Sequence, residues 1–67
     1  MSARYVEIEY DEFVRETPNA VLLVIEGNEV WLPWSQIEDG QELEEDGGRL
    51  SVTRWICDQK DLAYGEL

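Results

Sequence analysis

Six consecutive apolar, β-prone residues, Ala20-Val21-Leu22-Leu23-Val24-Ile25, precede a Gly27-Asn28 pair and a second short run, Glu29-Val30-Trp31-Leu32, that Pro33 ends. A two-residue Gly27-Asn28 turn between two such runs predicts a tight antiparallel hairpin, which fixes the centre of any fold this chain adopts. Pro33 has no N–H to give to a ladder. The segment Pro33-Trp34-Ser35-Gln36-Ile37 is therefore expected to form a tight or 3₁₀ turn that brings Ile37 back beneath the sheet.

The flanking segments add further strands. Residues Arg4 to Tyr10 alternate, with Val6, Ile8 and Tyr10 on one side and Tyr5, Glu7 and Glu9 on the other, the period of a strand with one wet face. Asp11 continues the acidic row. Glu16-Thr17-Pro18-Asn19 has turn chemistry and predicts a loop. From Glu38 to Asp46 six of nine residues are acidic and only Leu43 is apolar, which reads as an edge strand or loop. Gly47-Gly48 then supplies a turn before Arg49-Leu50-Ser51-Val52-Thr53, a last strand that would close a second hairpin. Thr53 is a candidate N-cap for a helix from Arg54 to about Leu62, with Trp55, Ile56, Gln59 and Leu62 on its apolar stripe. Five strands and a short C-terminal helix predict a mainly β, α+β domain: a small curled antiparallel sheet or a partly open barrel of the SH3-like or OB-like kind.

Size limits the rest. At 67 residues the chain is expected to be a single domain, 1–67, with one small core. It carries 16 Asp or Glu against 5 Lys or Arg and no His, a formal net charge of −11. High charge is a signature of disorder, but a 43% hydrophobic content with three Trp, three Tyr and one Phe supplies a dense core for the length. The longest apolar run is far short of the roughly 20 residues that span a bilayer, and no basic segment followed by an apolar core opens the chain. A soluble protein of the cytoplasm is expected.

Most catalytic chemistry lacks its residues. Without His there is no Ser-His-Asp arrangement and no Cys-His metal cage, and Cys57 is the only cysteine. Cys57 reads as a small apolar residue at a helix–sheet seam; a reactive thiol would need the positive neighbours that only Arg54 and Lys60 offer locally. No Gly-rich loop with a following Lys and Ser or Thr is present to cradle a phosphate. The Glu38 to Asp46 run lacks the spacing of an EF-hand loop. The chain is expected to be no enzyme and to hold no cofactor or metal.

What remains is the charge. Solubility asks for a net charge of about 2 to 8 in a small domain, and −11 exceeds it. A surface of one sign repels nucleic acid and anionic membrane, and steers association with a positively charged partner. Glu7, Glu9 and Asp11 on one strand face would stand about 6.8 Å apart, given about 3.4 Å of rise per residue. Duplex DNA sets a phosphate about every 3.4 Å along each strand, so such a row projects onto every second phosphate. With Glu38, Asp39, Glu42, Glu44, Glu45 and Asp46 as a second line, the chain would offer a basic groove two rows of charge resembling a duplex. Trp34, outside the strand alternation, would either add an aromatic anchor at that interface or pack the turn.

The stretch Ala20 to Glu38, with Trp31-Leu32-Pro33-Trp34-Ser35-Gln36-Ile37 at its centre, together with Arg54-Trp55-Ile56, resembles a pattern found in short, uncharacterised proteins of phages and bacterial mobile elements. The resemblance covers about a third of the chain and implies fold more than function. In size and acidity the chain also resembles phage-encoded inhibitors of host defence, including anti-CRISPR proteins and other DNA mimics. That resemblance implies a non-enzymatic inhibitor that occupies the DNA or RNA site of a basic, nucleic-acid-handling host protein. A different class is the alternative: a structural or accessory module of a phage or mobile element whose sheet edge or aromatic surface docks on another protein while its charge only solubilises it. A nucleic-acid binder on the same scaffold conflicts with five scattered bases.

Overall fold

The computed structural model describes residues 4–66. Alternation does what it should in β1 (Tyr5–Tyr10): Val6, Ile8 and Tyr10 are buried, while Glu7 and Glu9 face away from the core. After a bend at Asp11 the chain forms β2 (Glu12–Glu16), turns through Thr17–Asn19, and runs back as β3 (Ala20–Ile25) and β4 (Asn28–Pro33). A 3₁₀ turn at Trp34–Gln36 delivers Ile37 into the core, as the Pro33 stop implies. An irregular loop then carries the acidic run to β5 (Gly48–Thr53), followed by α1 (Arg54–Lys60) and a two-residue β6 (Gly65–Glu66).

The strands form two antiparallel sheets, ordered β5-β1-β6 and β2-β3-β4, and do not close into a barrel. Their apolar faces share one core: Val6, Ile8 and Tyr10 from β1, Val21, Leu23 and Ile25 from β3, Leu32 from β4, Leu50 and Val52 from β5, with Ile37, Ile56 and Cys57. Phe13, Val30, Trp34, Leu43, Leu62 and Tyr64 pack around it.

Four expectations need correcting. The strand Glu12–Glu16 has no expected counterpart, because its register shifts between Phe13 and Arg15 and the bulge at Val14 destroys the period-two signal. The hairpin turn is Glu26-Gly27, not Gly27-Asn28: both residues have positive φ, 52° and 81°, and Ile25 pairs with Asn28. This is the type I′ geometry that matches strand twist. A turn one residue later would have set Glu26 directly opposite Glu29, a like-charge pair that the observed register avoids. The last strand does not fold back on the acidic segment as a hairpin. It pairs with β1 over its whole length, Tyr5 with Thr53 through Tyr10 with Gly48.

The helix is shorter than the stripe suggested. Thr53 does cap it, its Oγ1 accepting the Ile56 N–H at 3.2 Å and donating to Gln36 Oε1 at 2.6 Å. Asp61 in the left-handed region ends it. With only seven residues it buries Ile56 and Cys57, and Trp55 is turned outward at 57% exposure.

Candidate acidic interface

β1 and the hairpin tip build the larger of two acidic clefts. Glu7 and Glu9 project from the wet face of β1, Asp11 stands at the bend, and Glu26 occupies the first position of the β3–β4 turn. Together with Tyr10, Ile25, Arg49 and Tyr64 they line an open cleft of about 600 Å³. Four carboxylates meet one guanidinium there. The Arg49 Nη1 lies 3.7 Å from Glu7 Oε1 in an exposed pair, a geometry that contributes little to stability. Asp11 is anchored: its Oδ2 accepts the Gly27 N–H at 3.2 Å, tying the bend to the hairpin turn. The evenly spaced row expected from Glu7 to Asp11 therefore holds for Glu7 and Glu9, while Asp11 sits at the corner between the sheets.

The end of the acidic loop builds the second cleft. Leu43 packs on the core, the Glu44 N–H donates to the Tyr10 hydroxyl at 2.7 Å, and the Phe13 N–H donates to the Glu45 carbonyl at 3.2 Å. These contacts press the loop against the start of β2. Asp11, Glu12, Phe13, Glu45 and Asp46 then border a depression of about 290 Å³ with no base among its lining residues. Asp11 belongs to both clefts. Glu7, Glu9 and Asp11 of the first expected line thus meet only Glu45 and Asp46 of the second.

The other loop acids lie elsewhere. Glu38 and Asp39 border a small groove of about 270 Å³ formed with Trp34, Ile37, Gly40, Gln41, Leu43 and Leu50, and Glu42 is exposed beside it. Trp34 is a packing residue. Its indole N–H donates to the Thr17 carbonyl at 2.8 Å and its ring packs against the core, so of the two roles expected for it the structure shows turn packing. Trp31 and Trp55 are the exposed tryptophans.

Two members of the acidic surface, Glu12 and Glu26, carried no sequence signal. Glu12 lies on the strand the bulge concealed, and Glu26 comes to β1 only through the shifted turn and the folding of one sheet over the other. Among the described residues no group of three or more His, Cys, Asp or Glu is arranged to hold a metal ion. Cys57 is buried and its thiol is pushed up from 9.0, first by burial and then by the charge of Asp58, the opposite of what a reactive thiolate needs. No helix of the described residues is long and apolar enough to cross a membrane. No protein-family model, curated protein or solved structure matches the chain.

Proposed function

We propose that this protein is a non-enzymatic inhibitor of phage origin that acts in the cytoplasm of a bacterial host. It binds a basic, nucleic-acid-handling protein such as a CRISPR-Cas complex and occupies the DNA or RNA site in place of the nucleic acid. The observation that supports this reading is the joining of Glu7, Glu9, Asp11 and Glu26 to Glu12, Glu45 and Asp46 through the shared Asp11, an acidic band with Arg49 as its one lining base. In a low-dielectric groove lined by Lys and Arg, such a band replaces phosphates charge for charge and accelerates encounter. The scaffold in this reading is a small, partly open barrel of the SH3-like or OB-like kind, whose paired strands spare the backbone beneath Glu7 and Glu9 an ordering cost at binding.

Capture from bacterial lysate at low and moderate salt, with the wild-type chain beside Glu44→Lys/Glu45→Lys, is the test. Both side chains are exposed, so the double reversal leaves the fold intact. Recovery of a nucleic-acid-binding protein that duplex DNA displaces and the variant loses is the expected result. Equal capture of one salt-resistant partner by both baits would overturn it. That outcome instead favours the accessory-module reading, which draws on Trp31 and Trp55, exposed at 38% and 57%. An apolar docking surface holds its affinity as salt rises, whereas a charge mimic loses it steeply.

A further inference from the structure

Sheet edges invite pairing, and most of those in this fold are closed. The outer edge of β5 is covered by Ile37, which bridges to Val52, and by the Glu38 N–H, which donates to the Ser51 carbonyl at 3.0 Å. The Gln41 side chain completes that cover like a strand, its Nε2 donating to the Ser51 carbonyl at 2.8 Å and its Oε1 accepting the Ser51 N–H at 2.6 Å. The outer edge of β2 meets the acidic loop through the Phe13 N–H and the Glu45 carbonyl. β6 is two residues long. β4 differs: it pairs with β3 on one side, and no described segment hydrogen-bonds to its other side.

The register says which groups β4 leaves free. In a hairpin with a two-residue turn the closing pair, here Ile25 and Asn28, exchanges both hydrogen bonds, and the bonded pairs then alternate. Asn28, Val30 and Leu32 thus bond to β3, while Glu29 and Trp31 point their N–H and C=O outward. The other side of β3 agrees, because the Ala20 and Val24 carbonyls accept from Thr17 and Asp11 on the β2 side. Pro33 takes the next outward position and has no N–H, so the free edge stops at Trp31. Among the described residues no hydrogen bond reaches the outward groups of Glu29 and Trp31.

The side chains beside this edge form a defined surface. Arg15, Leu22 and Trp31 lie in one row across the sheet, with the Arg15 guanidinium 5.7 Å from the Trp31 ring centroid. Leu22 faces away from the core cluster yet is only 6% exposed, because its two neighbours cover it. The adjacent row is Glu12, Val24 and Glu29, with Glu26 at the turn beyond.

We propose that the β4 edge receives an extended segment of a partner protein as an added strand, with a Lys or Arg of that segment beside Glu29 and an apolar side chain two residues away beside Trp31. Two residues in a strand span about 6.8 Å, so one face of the incoming segment serves both positions. Charge selects the occupant: a second copy would bring another −11, whereas a basic segment is attracted by the whole molecule and matched locally by Glu29. None of the residues lining the acidic clefts belongs to β4, so the inference stands or falls apart from the mimic reading.

The test is amide hydrogen exchange of the full chain with a capped hexapeptide, Lys-Thr-Val-Thr-Lys-Thr (the Lys-Val peptide), which sets Lys and Val two residues apart on one face, as the probe. Beside it run the same peptide with its alternate backbone nitrogens methylated, and a Glu-Val counterpart. At about ten times the Kd the Lys-Val peptide is expected to slow exchange at Glu29 and Trp31 about tenfold. The methylated peptide keeps the charge but loses the donors and should protect neither amide; Glu29→Lys should weaken binding and Trp31→Pro abolish it. No protection at these two amides with millimolar peptide would overturn the proposal. So would equal binding of methylated and unmethylated peptides centred on Glu7 and Glu9, or protection that appears with protein concentration alone and a doubled mass.

Discussion

A methyl group on Gly47 would sit 2.6 Å from the Tyr10 carbonyl oxygen and 2.7 Å from that of Asp11, and the residue has a φ of +97°. Both the left-handed backbone and the close approach require glycine there. Gly27 also has positive φ, +81°, but nothing lies within 4 Å of its would-be Cβ. Gly47→Ala should therefore cost about 2 to 3 kcal/mol in urea unfolding, against about 1 kcal/mol for Gly27→Ala. Equal losses would mean that the junction between acidic loop and β1 is looser than described. Cys57 makes a second residue-scale prediction. Its folded pKa is raised above the unfolded 9.0 by burial and then by Asp58, so the stability it contributes is full below 9.0 and declines as pH climbs beyond it, where unfolding releases the proton. A Cys57→Ala variant should lose less stability between pH 9 and 10.5 than the wild type, read as the shift in urea midpoint. The buried seam position of Cys57 was legible from sequence, because a lone cysteine with no His reads as a small apolar residue beside Ile56 on the helix that Thr53 caps. Trp55 was not: in a seven-residue helix the inward face is narrow enough that Ile56 and Cys57 fill it, and a helical stripe drawn to Leu62 overstates it.

At the scale of elements, the most informative side chain is Gln41, which stands in for a missing strand. It bonds both backbone groups of Ser51, and its Nε2 also reaches the Glu38 carbonyl at 2.8 Å. Gln41→Ala would leave the part-buried Ser51 N–H without a partner and should lower stability by about 1 to 3 kcal/mol, with faster exchange at the Ser51 amide and little change across β3. Uniform loss of protection would instead mean that the two sheets unfold as one unit. From sequence this region reads only as an edge strand or loop, and the reason is physical: a side-chain amide that closes an edge leaves no periodicity. β1, β3, β4 and β5 were legible because each has one buried face and alternation or apolar continuity records it. β2 was not, since the bulge at Val14 puts two residues against one and breaks the record. The hairpin is legible in the sequence but its turn only to within a residue, because Gly27 serves equally well as the first or second turn position and only the pairing decides.

Across the whole molecule, the charge of −11 is spread over extents of 32 × 24 × 19 Å. The screening length is about 30 Å at 0.01 M salt, comparable to the longest dimension, and about 8 Å at 0.15 M, shorter than any of them. In dilute buffer nearly every carboxylate therefore feels every other, and moderate salt confines repulsion to neighbours. The acidic band concentrates that repulsion, because Glu7, Glu9, Asp11 and Glu26 share one cleft and Asp11, Glu12, Glu45 and Asp46 the next. Five of the seven acids in this band, all but Glu12 and Glu26, were legible in the sequence as two acidic segments. Their junction at Asp11 was not, because it depends on Tyr10 holding Glu44 and on the hairpin tip reaching the bend, contacts between residues 34 and 16 positions apart. The melting temperature should accordingly rise by several degrees between 0.01 and 0.15 M NaCl. Glu44→Lys/Glu45→Lys, which lowers the formal charge from −11 to about −7, should melt higher than the wild type in dilute buffer and converge with it at 0.15 M. The convergence is the decisive feature, since a local packing change would shift the two curves by the same amount at both salts. Parallel curves would assign the acids to the fold itself; converging curves assign them to a surface held under repulsion, which salt relieves.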